Sequence, residues 1–317
     1  SAIPDRLRLD HRIAGPLSGK DGWLALGWPK EYGGQGRKSS EQLVFFEEAQ
    51  LAEVPLPFVT INTVAPALIA NGSEEHKAFF LPKIAAGELH FSIGYTEPGA
   101  GTDLASLKTS AVREGDDYII NGSKIWTSSA EAADYIWLAA RTDPQVQPPH
   151  KGITIFMVDA HQPGFTFTPL YTVGSVRSNA SYYDNVRCPA AMIAGQLNGG
   201  WKLITSQLNH ERVGLAAIGI QGWGLLQRTL KWAQDTDAGG GRRIAELPWV
   251  QSTLAEVYTR LEAMRLMADF EPRLVGPVLA GTASAHSEIN LHLFSEAPEA
   301  VSLRLAEFGV PHEVQER

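Results

Sequence analysis

A glycine-rich segment in the first half of the chain combines residue types that bind ligands. Residues 94–106 read GYTEPGAGTDLAS and place glycines and alanines among hydroxyl and carboxylate side chains. The backbone of such a loop can approach a planar ligand, while its N–H groups and hydroxyls bond to ring heteroatoms and phosphate oxygens. An ordinary glycine turn explains the same composition. A Rossmann dinucleotide site does not fit, because no helical period follows the glycines.

A second candidate for chemistry is Glu211, which lies in the stretch Asn209–Val213 directly before an apolar helical period. A carboxylate works as a general base when its pocket raises its pKa. The alternative role is that of an acid in the first turn of a helix, where it interacts favourably with the helix dipole. The residues alone favour the helix-dipole role, and they assign no role to His210.

Helical periodicity dominates the chain before about Leu89. Apolar residues recur there at spacings of three and four, with glycine and proline between the segments. Ser39–Gln42 is a candidate cap for a helix that runs through Leu51, and Ser73–His76 is a candidate start for a helix that reaches Ile84. These patterns predict a helical N-terminal domain.

The periodicity changes to two between Phe91 and about Ala194. β-Branched and aromatic residues alternate there with turn residues, and Asn121-Gly122 is a hairpin signal. This pattern predicts a compact antiparallel sheet, whose expected strands include Tyr118–Ile120, Tyr135–Ala140, Ile153–Val158 and Phe165–Thr168.

The helical period returns at Trp201. It runs through Leu203–His210 and Val213–Trp232 and, after a glycine loop, through Trp249–Phe270. The fold class is therefore α+β, with an N-terminal helical domain, a central antiparallel β-sheet domain and a C-terminal helical bundle that is truncated or altered.

We divide the chain into four parts. The last part, an atypical tail, has a predicted strand at Ile289–Phe294, a helix at Pro298–Phe308 and a strand at Pro311–Glu316. The parts are an N-terminal helical domain (1–90), a middle β domain (91–196), a C-terminal helical domain (197–270) and the tail (271–317).

Composition restricts the classes of function. The 317 residues are 44% hydrophobic, which is enough for a sizeable core, and their net charge of -8 argues against nucleic-acid binding. A single cysteine, Cys188, excludes an internal disulfide framework and fits a reducing compartment, so a cytoplasmic location is expected. The histidines lack ligand spacing, and no metal is expected. No apolar run approaches the ~20 residues of a membrane span.

The glycine-rich segment resembles the signature of the acyl-CoA dehydrogenases, in which a threonine and a glutamate precede a glycine-rich turn. Tyr95 stands where that pattern usually has a small aliphatic residue. About twenty residues later, Asn121–Ser128 resembles the family's strand whose tryptophan packs along the flavin. Weaker matches extend the resemblance over roughly residues 20–270, and they lie at Gly27–Gly34, Phe80–Ile84, Gly87-Glu88 and Tyr183–Arg187.

The resemblance implies FAD as cofactor and assigns residues to it. Trp126 and Ser128 are expected to meet the isoalloxazine ring and its N5 side, although an isolated tryptophan in a strand is more often a core residue. Thr102, Asn209 and Arg212 are expected to contact the substrate. The residues expected to line FAD or the thioester are Ile93, Tyr95, Thr96, Gly101 and Thr102.

The resemblance also implies a reaction, the α,β-dehydrogenation of an acyl-CoA to an enoyl-CoA. The family places its catalytic glutamate either late in the chain or at the start of the long helix after the sheet. Glu211, with Arg212 beside it, resembles the second arrangement and is the expected base. Reduced flavin would pass its electrons to an electron-transfer flavoprotein or a similar acceptor, in lipid β-oxidation.

Two departures from the family pattern concern partner subunits. The helices that normally follow residue 270 are missing, and Arg242–Glu246 lacks the phenylalanine and glycine of the family's FAD-binding arginine loop. A homo- or hetero-oligomer is expected, and this chain fits the catalytic half of a mixed oligomer. The alternatives are a noncatalytic subunit of such an oligomer and a flavin monooxygenase, although the monooxygenases have no use for a glutamate at this helix start.

Overall fold

The computed structural model describes residues 19–52, 54–173, 177–207, 220–266, 273–275 and 290–292. The described residues form two compact units. The first contains residues 19–45 and 54–207, and the second contains residues 46–52 and those from 220 onward. The predicted α+β fold class is confirmed, with helices before and after a central sheet. The candidate residues Asn209, Glu211 and Arg212 lie outside the described residues.

Helices begin where the sequence predicts caps. The Ser73 hydroxyl accepts a hydrogen bond from His76 N at 3.2 Å, and the Glu41 carboxylate accepts one from Lys38 N at 3.0 Å. Both contacts satisfy N–H groups that have no partner inside the helix. A π-helical segment, Thr60–Val64, leads into the second helix. The described helices are α1 (Ser39–Leu51), α2 (Ala65–Asn71), α3 (Glu74–Ala85), α4 (200–207), α5 (Gln221–Asp235) and α6 (Pro248–Leu266).

The first unit is built around an eight-stranded sheet in the order β6-β7-β3-β2-β4-β5-β8, with β1 paired to β4. The pairings are antiparallel as predicted, except that β1 and a short part of β2 run parallel to β4. The strands are β1 (Phe91–Gly94), β2 (Ser110–Glu114), β3 (Asp117–Lys124), β4 (Tyr135–Arg141), β5 (Ile153–Asp159), β6 (Phe165–Tyr171), β7 (Arg177–Pro189) and β8 (Ile193–Ala194).

Strands β4 and β5 are paired neighbours with long buried runs. Residues 136–140 and 153–158 are buried without interruption, so both faces of these strands are covered. An unbroken apolar run suits that environment, whereas β6 at the sheet edge is largely exposed. On the side of α3, Phe80 packs against Phe91 and Tyr135, with ring centroids 5.4 and 5.1 Å apart. These contacts fix β1, and with it the start of the glycine-rich loop.

Asn121-Gly122 does not form the predicted hairpin turn but lies inside β3. Strand β7 has an extra residue opposite this point, where the register shifts between Ile120 and Gly122. Asn185 adopts a left-handed conformation with φ of 51°, and the Asn121 carboxamide accepts a hydrogen bond from Asn185 N at 2.9 Å. Asn121 therefore satisfies the backbone of a β-bulge in the neighbouring strand. A side chain at position 122 would collide with Thr109, so this position requires a glycine.

The second unit contains α5 and α6, which contact each other through an edge-to-face pair of Trp223 and Tyr258 with centroids 5.1 Å apart. A small hairpin, β9 (Asp237–Gly239) with β10 (Arg242–Arg243), connects the two helices. None of the helices in the described ranges is long and apolar enough to span a membrane.

Two short strands belong to the tail, β11 (Arg273–Val275) and β12 (Asn290–His292), which pair antiparallel. Strand β12 falls within the predicted strand Ile289–Phe294. The predicted helix Pro298–Phe308 and strand Pro311–Glu316 lie outside the described residues. The four-part division of the chain stays a prediction.

We expect Leu138→Ala to lower the free energy of unfolding by about 3 kcal/mol, because it leaves a cavity among fully buried neighbours. The matched control is Val112→Ala in β2, where the side chain is 65% exposed and the expected loss is under about 0.5 kcal/mol. Denaturation of both variants in urea measures the difference. Equal losses would contradict the assignment of β4 to the core.

Candidate functional site

The glycine-rich loop begins with a tight turn. Glu97 and Ala100 exchange two backbone hydrogen bonds, each 3.1 Å long, around Pro98-Gly99. A Cβ atom at Gly99 would meet nothing within 4 Å, and one at Gly101 would meet only the Thr96 methyl group at 4.0 Å. The far side of this turn is therefore open, and a ligand can approach its backbone closely.

A buried ion pair anchors the turn to the sheet. The Lys124 ammonium donates to Glu97 Oε1 at 2.8 Å and to the Tyr95 carbonyl oxygen at 3.0 Å. The other donors to the Glu97 carboxylate are the backbone N–H groups of Lys108 at 2.7 Å and Thr109 at 2.8 Å. Both side chains are withdrawn from solvent. Each charge thus has several partners, as a buried charge requires.

The surroundings of the pair shift both pKa values. Burial lowers the pKa of Lys124 to about 8, although the Glu97 carboxylate favours the charged form of the lysine. Burial alone would raise the pKa of Glu97, but the charge of Lys124 and the hydrogen bonds from Lys124 and Thr109 outweigh it and hold that pKa below its usual range. Both groups are charged at neutral pH, because that pH lies above the lowered pKa of Glu97 and below the pKa of Lys124.

Trp126 lies just beyond the end of β3 in a left-handed conformation with φ of 63°. Its side chain is 53% exposed, so the alternative that Trp126 is a core residue is wrong. Positive φ is strained for a bulky residue and persists where the neighbours enforce it. Here Ile125 N donates to the Thr96 carbonyl oxygen at 2.8 Å and Thr127 N donates to the Asn179 carbonyl oxygen at 2.9 Å.

A buried polar network supports this strained segment from β7. The Asn179 amide donates to the Thr127 carbonyl oxygen at 3.0 Å and to Glu131 Oε2 at 2.7 Å. The Thr127 and Ser181 hydroxyls are 2.9 Å apart, and Glu131 also pairs with Arg177. These contacts all lie within the protein, so the sheet itself supports the conformation of residues 126–128.

Besides the ion pair between Lys124 and Glu97, three hydrogen bonds hold residues 92–97 beside residues 124–128. They are Lys124 Nζ to Tyr95 O, Ile125 N to Thr96 O, and Ser92 Oγ to Ser128 O at 2.8 Å. The structure therefore brings the glycine-rich loop, Trp126 and Ser128 into one region, as the sequence predicts. Ile93 belongs to the same region, in β1 opposite Trp137.

This region fits a flavin. An exposed indole on a rigid backbone offers a flat apolar surface, and the open glycines allow close approach to ring and phosphate groups. Thr102 is exposed, and its hydroxyl has no hydrogen-bond partner within the described part of the chain. No group of three or more side chains suited to a metal ion occurs among the described residues. The roles of the individual residues stay predictions.

Sequence reasoning missed the residues that position the site, namely Glu97, Lys124, Thr127 and Asn179. Side chains at every second position of a strand lie on the same face of the sheet. In β3 these positions include Tyr118, Ile120 and Lys124, which are all buried, so the alternation indicated that Lys124 faces inward. An inward lysine requires an acidic partner, and the neighbouring motif offers two acids, Glu97 and Asp103. Asn179 lies on a distant strand, and nothing in the sequence connects it with Thr127.

Domain profiles of one family match most of the chain in order. The profile "Acyl-CoA dehydrogenase, N-terminal domain" matches residues 11–88, the middle-domain profile matches 92–186, and the C-terminal-domain profile matches 198–270. The acyl-CoA dehydrogenase FadE26 of Mycobacterium tuberculosis is 50% identical over 287 residues, which are 88% of this chain and 71% of the relative.

Two solved structures have similar folds. The Tcur3481-Tcur3483 steroid ACAD has a TM-score of 0.77 and 54% identity over 82% of this chain and 66% of the other. The ChsE4-ChsE5 complex from Mycobacterium tuberculosis has a TM-score of 0.76 and 49% identity over 86% of this chain and 70% of the other. The chain therefore spans about two thirds of the length of these relatives.

We expect Glu97→Gln to lower the free energy of unfolding by about 2 kcal/mol at pH 7, because the Lys124 ammonium loses its charged partner. The pKa of Glu97 is lowered by folding, so its contribution is present above pH 4.5 and is lost as pH falls below that value. The difference between wild type and variant should therefore shrink in acid. Urea denaturation from pH 3 to 7 measures it.

The matched control is Glu114→Gln, which removes an acid from the exposed pair with Arg187. An exposed pair contributes little, so a loss under about 0.5 kcal/mol is expected at every pH. A Glu97→Gln loss that is equally small, or that stays constant down to pH 3, would show that the buried pair does not hold the loop.

Proposed function

The chain belongs to the acyl-CoA dehydrogenase family, and we propose that it catalyses the α,β-dehydrogenation of an acyl-CoA thioester to an enoyl-CoA with FAD. The observation that supports this most is the anchored pairing of residues 92–97 with residues 124–128. That pairing places an exposed indole beside an open glycine loop.

Glu211 is the base in this proposal. Its carboxylate accepts the α proton of the thioester, and a hydride leaves the β carbon, so that two C–H bonds break and a Cα–Cβ double bond forms. Bound FAD supplies the acceptor for the hydride. Enolate charge develops on the thioester oxygen as the proton leaves, and that oxygen needs hydrogen-bond donors. We assign contacts with the substrate to Thr102, Asn209 and Arg212.

The cofactor is held mainly by the region described above. Trp126 would form an apolar wall for the ring system, and Ser128 would contact it on its N5 side. The loop holds the rest through its backbone and hydroxyl groups. The residues in these roles are Ile93, Tyr95, Thr96, Gly101, Thr102, Trp126 and Ser128. An electron-transfer flavoprotein or a similar acceptor would be the partner that takes up the electrons.

A second subunit type completes the cofactor site in this proposal, so that the chain is the catalytic half of a mixed oligomer. The Arg243 guanidinium donates to the Asp235 carbonyl oxygen at 2.9 Å. The backbone N–H of Arg243 donates to the Glu246 carboxylate, so this arginine is engaged within its own unit. Two similar solved structures carry paired names, Tcur3481-Tcur3483 and ChsE4-ChsE5, which fits such an assembly.

The substrate class follows from the relative described as a steroid ACAD, with which this chain shares 54% identity. We assign the thioester of a steroid-derived acid to this chain. Anaerobic mixing with such a thioester, with isovaleryl-CoA and with a long-chain acyl-CoA tests the assignment through the loss of the oxidised flavin band. Faster bleaching by either simple acyl-CoA would contradict it.

Glu211→Gln should slow flavin reduction by about 10²- to 10⁴-fold, because a carboxamide cannot accept the α proton. The measurement is stopped-flow absorbance under anaerobic conditions, with the partner subunit present. Glu256→Gln, which alters an exposed acid on α6 that pairs with Arg260, is the control and should reduce flavin at the wild-type rate. An unchanged rate in Glu211→Gln would place the base elsewhere.

Trp126→Leu should weaken FAD retention about fivefold, because the variant loses an aromatic surface that contributes about 1 kcal/mol beyond its buried area. Release of flavin fluorescence during dilution measures the dissociation. Tyr171→Leu, which alters a side chain on the sheet edge that is 77% exposed, is the control. If both variants retain FAD equally well, Trp126 is not part of the flavin site.

A further inference from the structure

Arg141, the last residue of β4, binds three backbone carbonyl oxygens with its guanidinium group. Its Nε donates to Leu107 O at 3.0 Å, and its two terminal nitrogens donate to Ala105 O at 2.6 Å and to Pro149 O at 2.8 Å. A guanidinium is planar and always charged, so its N–H groups hold their acceptors in a fixed arrangement. Hydrogen bonds from a charged donor are also stronger than neutral ones. Arg141 therefore joins two segments that are far apart in the sequence.

Two of these acceptors lie at the end of the glycine-rich loop. Leu104–Ser106 forms a short 3-10 turn there, and carbonyl groups at the end of such a turn lack partners within it. Arg141 supplies that partner. The backbone N–H groups that follow, those of Lys108 and Thr109, donate to the Glu97 carboxylate. The end of the loop is thus held from two sides, at its carbonyl groups by Arg141 and at its N–H groups by Glu97.

The third acceptor, Pro149 O, lies on the segment between β4 and β5, and that segment is fixed at its base. Thr142 N and Asp143 N both donate to Gly152 O, at 2.9 and 3.2 Å. The Asp143 carboxylate also accepts a hydrogen bond from Gln145 N at 2.9 Å. Because these contacts support the segment independently, the guanidinium ties the glycine-rich loop to a neighbour that is itself held.

We propose that Arg141 is a positioning residue, which braces the end of the glycine-rich loop against segment 142–152 and thereby sets the open part of the loop, residues 98–103, for the flavin. The open part lies between two fixed points, Glu97 and the turn that Arg141 holds. A loop with both ends held loses less conformational entropy when a ligand binds, which favours affinity. The brace does not depend on the proposed function, whereas its effect on the flavin rests on it.

The competing explanation is that Arg141 acts only as a nearby positive charge. Arg141→Lys separates the two, because an ammonium keeps the charge but cannot replace the planar fork that reaches three acceptors. Arg141→Met removes both. Burial lowers the pKa of Lys124 to about 8, and the charge of Arg141 contributes to that lowering, so Arg141→Lys disturbs the buried pair less than Arg141→Met does. The matched control is Arg113→Lys, since Arg113 is an exposed arginine on β2 whose Nε donates to Gly115 O at 3.0 Å.

Hydrogen–deuterium exchange of the full chain, with FAD and any partner subunit that the wild type needs, tests the brace without catalysis. Arg141→Lys and Arg141→Met should each speed exchange about tenfold in peptides that cover 98–107, because the local opening of the loop no longer breaks the charged hydrogen bonds. Peptides that cover 143–152 should change less, because that segment has its own support. Peptides from β5 and β7 should exchange at the wild-type rate, and Arg113→Lys should match the wild type throughout.

Four results of the exchange experiment would overturn the proposal. They are wild-type exchange at 98–107 in Arg141→Lys, an equal rise in Arg113→Lys, a larger change at 143–152 than at 98–107, and a rise that extends to β5 and β7. The last result would show a general loss of stability instead of a local brace.

FAD retention by the folded protein, followed by flavin fluorescence during dilution, provides the second readout. Both Arg141 variants should retain FAD about tenfold less tightly, whereas Arg113→Lys should retain it as the wild type does. Wild-type retention in Arg141→Lys would overturn the positioning role. A wild type that does not bind FAD in the presence of its partner would instead reject the proposed function, and the exchange experiment would still decide the brace.

Discussion

The arrangement of the site depends on the buried ion pair between Glu97 and Lys124. The pair connects the turn of the glycine-rich loop to the end of β3, and Trp126 follows that end by two residues. The Glu97 carboxylate also takes backbone donors from Lys108 and Thr109, where the chain enters β2. Because burial makes an unpaired charge very costly, the loop and the strand cannot separate without losing the pair. Rigidity at this point thus comes from electrostatics rather than from apolar packing.

A second constraint is the left-handed backbone at Trp126. The strain is balanced by hydrogen bonds from both neighbours and by the network around Thr127 and Asn179. These hydrogen bonds lie within the protein, so the sheet itself holds the indole in place. Binding then avoids the conformational entropy that a mobile side chain would lose, which favours affinity. The family membership and this local geometry lead to the same assignment of the surface.

The sequence predicts those parts of the fold that depend on interactions between neighbouring residues. The Ser73 cap and the apolar strands β4 and β5 were predictable, because caps and periodicity act over a few residues. The hairpin predicted at Asn121-Gly122 was wrong, because this dipeptide lies inside β3 and hydrogen-bonds to the backbone of a bulge in β7. The partners of Lys124 and Thr127 could not be predicted from spacing, because they come from distant segments. Family resemblance supplied the site, but not its supports.

The contacts that support Trp126 join segments far apart in the sequence, and this has a consequence for folding. The contact between Thr127 and Asn179 bridges 52 residues, and Asn179 enters the sheet only when β7 pairs with β3. Contacts between segments so far apart form slowly, because a long loop must close first. The surface around Trp126 is therefore completed late, when the sheet is nearly whole. Under the proposed function, a flavin would find no such surface on a partly folded chain, so cofactor loading would report the finished sheet and stabilise it selectively.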